Sequence, residues 1–202
     1  ARTLSVPDGR NLVETAFRQA MRSPSRPMLA DGSAALSARD MVMRAFALAS
    51  FIKAKAGGAE RVGIMLPASA AAVLAWLGAL MAGKTPVMCN WTVGAANFSH
   101  GLEATGVRRV FTSSRLLDRL AGQGFPVREY ADVWVALEDA KRLPFPAKLG
   151  AFLKSRLLGI PGLGEAVIPR RVPETAAILF TSGSEALPKA VPLTHANILA
   201  NC

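Results

Sequence analysis

Arg61-Val62-Gly63-Ile64-Met65-Leu66-Pro67, then Ser69 to Ala82, then Gly83-Lys84-Thr85-Pro86-Val87-Met88-Cys89 is the stretch on which the fold turns. An apolar run ends at a proline, an Ala-rich segment of helical length follows, and a second apolar run starts after a glycine. Strand, helix and strand in that order predict parallel strands joined by a crossover helix, the unit of an α/β sheet. Ile64 to Gly83 also carries no charge over about twenty residues, the length of a membrane span. Pro67 divides that run, and alanine and glycine are weakly apolar, so the reading is a buried core helix over Ser69–Ala82.

Working outward, Val13, Phe17 and Met21 recur every fourth residue with Leu12, Ala16 and Ala20 beside them, which predicts an amphipathic helix over 11–21. Ser23-Pro24-Ser25-Arg26-Pro27 breaks it. Ser37-Ala38-Arg39-Asp40 then offers a capping-box-like start to a helix whose Met41, Ala45, Leu48 and Ile52 share a face and which Gly57-Gly58 ends. Downstream, a helix over Ala95–Thr105 is stopped by Gly106, a buried strand follows at Arg108–Ser113, and Leu116–Ala121 is a short helix. Residues 1–140 therefore read as one α/β unit, 141–172 as a connector, and 173–202 as a strand, a loop and the start of a helix.

Composition bounds the partners. The 202 residues are 51% hydrophobic, enough for a sizeable core, and carry 24 Lys+Arg against 14 Asp+Glu, a formal charge of +10 that favours anionic partners. Aromatic residues make up 6% and no nucleic-acid-binding module motif accompanies the charge, so nucleic acid is not the expected partner. Cys89 and Cys202 are the only cysteines, too few for a disulfide framework or a zinc site, and no secretory signal is visible at Ala1–Arg10, so the expected setting is cytoplasmic. Seven of the basic residues fall between Lys141 and Arg171 against a single acid, Glu165. Lys148–Leu158 there has the character either of a helix lying on the inner, anionic face of a membrane or of a solvated helix on a connector.

Two stretches have the residue types that hold phosphate. Gly78-Ala79-Leu80-Met81-Ala82-Gly83-Lys84-Thr85 matches the Walker pattern letter for letter. A working loop of that kind opens a helix, whereas these glycines close one, and a helix C-terminus repels phosphate. Gly83 therefore reads as a helix stop. The second stretch is Ala176-Ala177-Ile178-Leu179-Phe180-Thr181-Ser182-Gly183-Ser184-Glu185-Ala186-Leu187-Pro188-Lys189. Here a buried strand delivers three hydroxyls and a glycine into a loop with one lysine, and such hydroxyls and concave backbone amides donate to phosphate oxygens.

The order Thr181, Ser182, Gly183, Ser184, Pro188, Lys189 resembles the signature loop of the adenylate-forming superfamily, Thr-Ser-Gly-Ser-Thr-Gly-x-Pro-Lys-Gly. Asn11-Leu12-Val13-Glu14, Ala30-Asp31-Gly32 and Val62–Pro67 fall where that family has similar segments. Phe180–Glu185, Gly83–Met88 and Val110–Ser113 look most like the branch of acyl-CoA and acyl-carrier-protein synthetases and 2-acylglycerophosphoethanolamine acyltransferases.

The resemblance implies the N-terminal subdomain of that fold, a mostly parallel sheet flanked by helices, truncated just after the loop and prone to self-association at its cut edge. It further implies ATP and Mg2+ as cofactors, a fatty acid and CoA or acyl carrier protein as partners, and Thr181, Ser182, Gly183, Ser184, Glu185 and Lys189 around the phosphates. The family's adenine pocket, magnesium-holding glutamate, fatty-acyl tunnel and late catalytic lysine belong to segments with no counterpart before Cys202. Hence no catalytic residue is expected in the chain, and a membrane- or lipid-binding module is the rival reading. Ala186 and Ala190 stand where the family has glycine, which raises either a strained loop or ordinary backbone geometry there. His195, in Thr194-His195-Ala196-Asn197, reads as structural.

Overall fold

The computed structural model describes residues 11–32, 35–142, 172–181 and 187–201. The basic stretch 143–171 lies outside them, and with it the choice between a membrane-surface helix and a connector. Helix α1 (Leu12–Arg22) is followed by a two-stranded hairpin, β1 (Pro27–Ala30) and β2 (Ala35–Ser37), and by α2 (Ala38–Ala56). Then come β3 (Arg61–Ile64), α3 (Ala70–Met81), β4 (Thr85–Met88), α4 (Ala95–Thr105), β5 (Val110–Thr112), α5 (Ser114–Gly122) and β6 (Trp134–Ala136). The described chain closes with β7 (Thr175–Phe180), β8 (Ala190–Thr194) and the short α6 (His195–Leu199).

Six strands form one sheet in the order β6-β5-β3-β4-β7-β8, parallel throughout except for β8, which returns antiparallel to β7 along the edge. Alternation along β3 divides its side chains between two helical layers. Val62 and Ile64 join Phe51, Ile52, Ala75, Ala79 and Phe111 under α2 and α3. Met65 joins Val87, Val110, Phe98, Leu116 and Ile178 under α4 and α5. Each fully buried large side chain of this set contributes about 1.5–3 kcal/mol, and Phe51 meets Phe111 edge to face at 6.1 Å.

Helices α2 and α3 start where the sequence supplies oxygen acceptors. The Ser37 hydroxyl accepts from the Asp40 amide at 3.1 Å and donates to the Asp40 carboxylate at 2.8 Å, much as a capping box would. At α3, the Ser69 hydroxyl takes the Ala72 amide and the Asp31 carboxylate takes the Ala70 amide at 2.6 Å. Nine residues of α3 are buried, as expected of a core helix, and no described helix is long and apolar enough to cross a membrane.

Two expectations change. Met21 is 48% exposed; the buried stripe of α1 is Val13, Phe17 and Ala20, because the 3.6-residue period drifts away from a four-residue spacing within two turns. The second change is β8, where the sequence offered no strand signal: Pro192 sits inside it, tolerated because β8 is an edge.

The Walker look-alike falls where helix chemistry places it. Gly83 has φ +71°, its amide donates to Leu80 O at 3.0 Å, and the Lys84 amide donates to Ala79 O at 2.9 Å, the paired bonds of a Schellman stop. Lys84 Nζ donates to Gly57 O and Ala59 O at 3.0 and 2.6 Å, so its charge serves the end of α2 rather than of α3. Gly78 lets α2 and α3 approach: a Cβ there would lie 3.0 Å from Ala45 O.

Candidate functional site

Strand β7 lies next to β4, with Val87 paired to Ile178, and Trp76 Nε1 of α3 donates to Ala176 O at 2.9 Å. Ala176, Ala177 and Ile178 are thereby buried, and the chain emerges at Leu179 and Phe180 to deliver Thr181 at the carboxyl end of the sheet. Strand β8 returns from the other side of the loop, with Phe180 opposite Ala190. The neck of the loop is closed reciprocally: the Thr181 amide donates to Lys189 O at 3.1 Å, and the Lys189 amide donates to the Thr181 hydroxyl oxygen at 3.1 Å. That hydroxyl accepts one bond from the hairpin and has its O–H left to donate.

Thr181 and Lys189, expected at the phosphates, thus stand together at the neck of one loop. Ser182, Gly183, Ser184 and Glu185, with Ala186, lie outside the described residues. Ala190 occupies ordinary strand geometry, and no described non-glycine residue has positive φ, so alanine in place of the family's glycine brings no backbone strain there. The loop joins two strands and opens no helix, so helix-dipole attraction is absent from its neck. Among the described residues of the loop the Thr181 hydroxyl and the exposed Lys189 are the anion-complementary groups, and they suit phosphate oxygens better than a bare cation. No group of three His, Cys, Asp or Glu side chains suited to a metal occurs among the described residues.

His195 does other work. Its Nδ1 accepts from the Leu12 amide at 3.2 Å and its Nε2 meets Pro173 O at 2.8 Å, which fixes the Nε2–H tautomer and ties the base of the hairpin to the start of α1. Burial holds its pKa below the ordinary imidazole value, opposed in part by the Pro173 carbonyl. Thr194 caps α6 in a reciprocal box with Asn197.

Beside the loop, at the carboxyl ends of β4 and β7, lies a cavity of about 330 Å3. Met88, Cys89, Phe98, Leu102 and Phe180 supply much of its wall, and Thr181 and Pro188 bring it to the loop. Desolvation pushes the Cys89 thiol up to about 12, against a smaller pull from the Ile64 backbone, so that wall is uncharged at neutral pH. Sequence reasoning missed this cavity, because nothing in the spacing of Phe98, Leu102 and Phe180 says that they converge. An open groove of about 690 Å3 at the opposite ends of the strands collects Arg61, Arg108 and Arg109 with Glu60 and Asp132. Arg61 and Arg109 there donate to the Thr105 and Asp132 carbonyls.

A family model described as AMP-binding enzyme matches residues 16–202. The chain belongs to the AMP-binding enzymes. It is 33% identical over 193 residues to the phenyloxazoline synthase MbtB of Mycolicibacterium paratuberculosis, a match over 94% of this chain and 14% of that protein. It is 28% identical over 194 residues to the medium/long-chain-fatty-acid–CoA ligase FadD6 of Mycobacterium tuberculosis, over 95% of this chain and 30% of that one. The chain thus spans less than a third of either relative. The N-terminal domain of FACL13 from Mycobacterium tuberculosis shares the fold, with a TM-score of 0.63 at 19% identity over 93% of this chain and 45% of that one. The AMP-binding family and its N-terminal fold are therefore established.

Proposed function

We propose that this chain is the phosphate-binding front part of a fatty acyl-adenylate-forming ligase and that it does not complete a catalytic cycle unaided. The observation that carries the reading is the closed neck of the β7–β8 loop, which holds the Thr181 hydroxyl and Lys189 side by side in an AMP-binding enzyme. In the reaction, a carboxylate oxygen attacks the α-phosphorus of ATP, the bond to the β-phosphate oxygen breaks, and pyrophosphate leaves. A thiol sulfur of CoA or an acyl carrier protein then attacks the acyl carbon, losing its proton as AMP departs; a lysophospholipid acceptor at the inner membrane face is the variant closest to the branch resemblance.

In this reading Thr181, Ser182, Gly183 and Ser184 donate to the β- and γ-phosphates, Glu185 shares the loop, and Lys189 stabilises the charge that grows on the leaving pyrophosphate. Magnesium, when bound with ATP, neutralises phosphate charge; the residues of this chain orient the oxygens.

Calorimetric titration of pyrophosphate into the 202-residue chain tests the reading. Lys189→Ala is expected to weaken binding about tenfold, about 1.4 kcal/mol, and Thr181→Val to weaken it further. Equal affinity in the wild type and in the double variant would remove the loop from the mechanism.

A further inference from the structure

The groove at the amino ends of the strands gathers positive charges that the fold leaves unneutralised. Arg61 opens β3, and Arg108 and Arg109 lead into β5. The parallel register sets Gly63 level with Val110, and the Gly63 amide donates to Arg109 O at 2.8 Å. These arginines therefore stand at the mouths of adjacent strands, where like charges repel. All three are exposed. Glu60 and Asp132 line the same groove, yet among the described residues neither forms an ion pair with any of them. Helices α2 and α4 end beside this groove, and a cation at a helix C-terminus serves the last carbonyls. That accounts for Arg61, whose Nη1 donates to Thr105 O at 3.0 Å. Arg109 is likewise anchored, its Nη1 donating to Asp132 O. Arg108 has no such duty: its guanidinium has no hydrogen-bond partner among the described residues. Anchoring to a carbonyl restrains each of the other two guanidiniums and leaves most of its five N–H donors unspent.

We propose that this groove binds the phosphate chain of an oligophosphate, free or carried by a nucleotide, through Arg61, Arg108 and Arg109. The guanidinium fork matches phosphate oxygens two at a time. Glu60 and Asp132 offset two of the three positive charges, so a single phosphate gains little, whereas a chain that reaches all three guanidiniums gains at each. A volume of about 690 Å3 lies within the range of ligand clefts. Ala56, Gly58, Ala59 and Gly106 in the wall are small and offer little apolar face, which suits a ligand held by charge. The β7–β8 loop stands at the other end of the sheet, so this site does not depend on the adenylation reading.

The test is a site-resolved NMR titration of the 202-residue chain with tripolyphosphate, at an ionic strength of about 0.15 M to screen diffuse attraction. The amides of Gly106 and Asp132 report the groove, and those of Thr181 and Lys189 report the loop, so failure at one end is read apart from failure at the other. Saturable shifts at Gly106 and Asp132 are expected in the wild type. Arg108→Gln breaks no hydrogen bond among the described residues and should weaken this binding about fivefold, with Arg108→Glu weakening it further. Arg44→Gln removes the same charge from an exposed position early in α2 and should leave the groove's affinity unchanged. ATP titrated in the same way names the source: tighter binding than tripolyphosphate assigns a nucleotide, equal or weaker binding assigns a free chain, and either upholds the site. Absence of saturable shifts at Gly106 and Asp132, or equal weakening by Arg44→Gln and Arg108→Gln, would overturn it. So would binding to phosphatidylcholine–phosphatidylglycerol vesicles that Arg108→Gln abolishes while tripolyphosphate moves neither amide, since the face would then be a membrane surface.

Discussion

Gly78–Thr85 and Thr181–Lys189 carry the same ingredients, small residues, a hydroxyl and one lysine, and the fold uses them in opposite ways. The first closes a buried helix: Gly83 takes the left-handed turn and Lys84 is drawn into the carbonyls that follow α2. The second bridges two antiparallel strands at an open edge of the sheet, and Thr181 and Lys189 at its neck are exposed. What separates them is the element that flanks each lysine. The letter-for-letter Walker match lies at a helix C-terminus, which presents carbonyls, and the looser match lies between two antiparallel strands with the exposed Thr181 and Lys189 at its neck.

Substitutions in the first loop should therefore cost stability and leave anion binding alone. Gly83→Val forces a β-branched residue to φ +71° and is expected to lower unfolding free energy by about 2 kcal/mol, measured by urea denaturation. Lys84→Ala removes two hydrogen bonds to carbonyls at a helix end and should cost about 1 kcal/mol. Neither should change pyrophosphate affinity, the reverse of what Lys189→Ala should do. A loss of pyrophosphate binding in Lys84→Ala would mean that the contrast between the loops is drawn wrongly.

The parallel framework was legible in the sequence because periodicity and stop signals agreed: Ser69, Gly83 and Gly106 bracket α3 and α4 close to where the chain turns. That Thr181 and Lys189 belong to one loop was legible through residue order, whereas their pairing across its neck was not. Less visible were the short strands, whose existence depends on neighbours distant in sequence. Trp134–Ala136 is a strand because β5 offers it a partner, and Ala190–Thr194 because β7 does, in spite of Pro192. The cavity was illegible for the same reason, since Phe98 and Phe180 meet only after β4 and β7 have paired.

The base of the hairpin gives a subtler handle on the comparison, because it is joined to the framework through a titratable ring. Protonating His195 removes the acceptor for the Leu12 amide and sets N–H against N–H. Its folded pKa lies below the ordinary 6.5, mainly from desolvation, so on acidification the unfolded chain takes the proton first. The stability this residue contributes is complete above about pH 6.5 and is lost as pH falls from there through the lowered value. Melting temperature should therefore fall between about pH 7.5 and 5.5 more steeply in the wild type than in His195→Gln. Parallel slopes would show that the ring does not hold the hairpin to α1.

The smallest expected effect is a gain, and it falls on the framework. Thr112 ends β5 with its side chain fully buried, and its hydroxyl has no hydrogen-bond partner among the described residues. Such a group loses its water contacts on folding and recovers nothing, whereas valine has nearly the same shape without the hydroxyl. Thr112→Val should stabilise the chain by about 0.5–1 kcal/mol, seen as a higher urea midpoint at unchanged slope, with pyrophosphate binding unaltered. A loss of stability would instead mean that the hydroxyl has a partner in solution. In that case the end of β5 would be a wet site beside the turn into α5, and the sharp division between a dry framework and a solvated hairpin would have to be redrawn there.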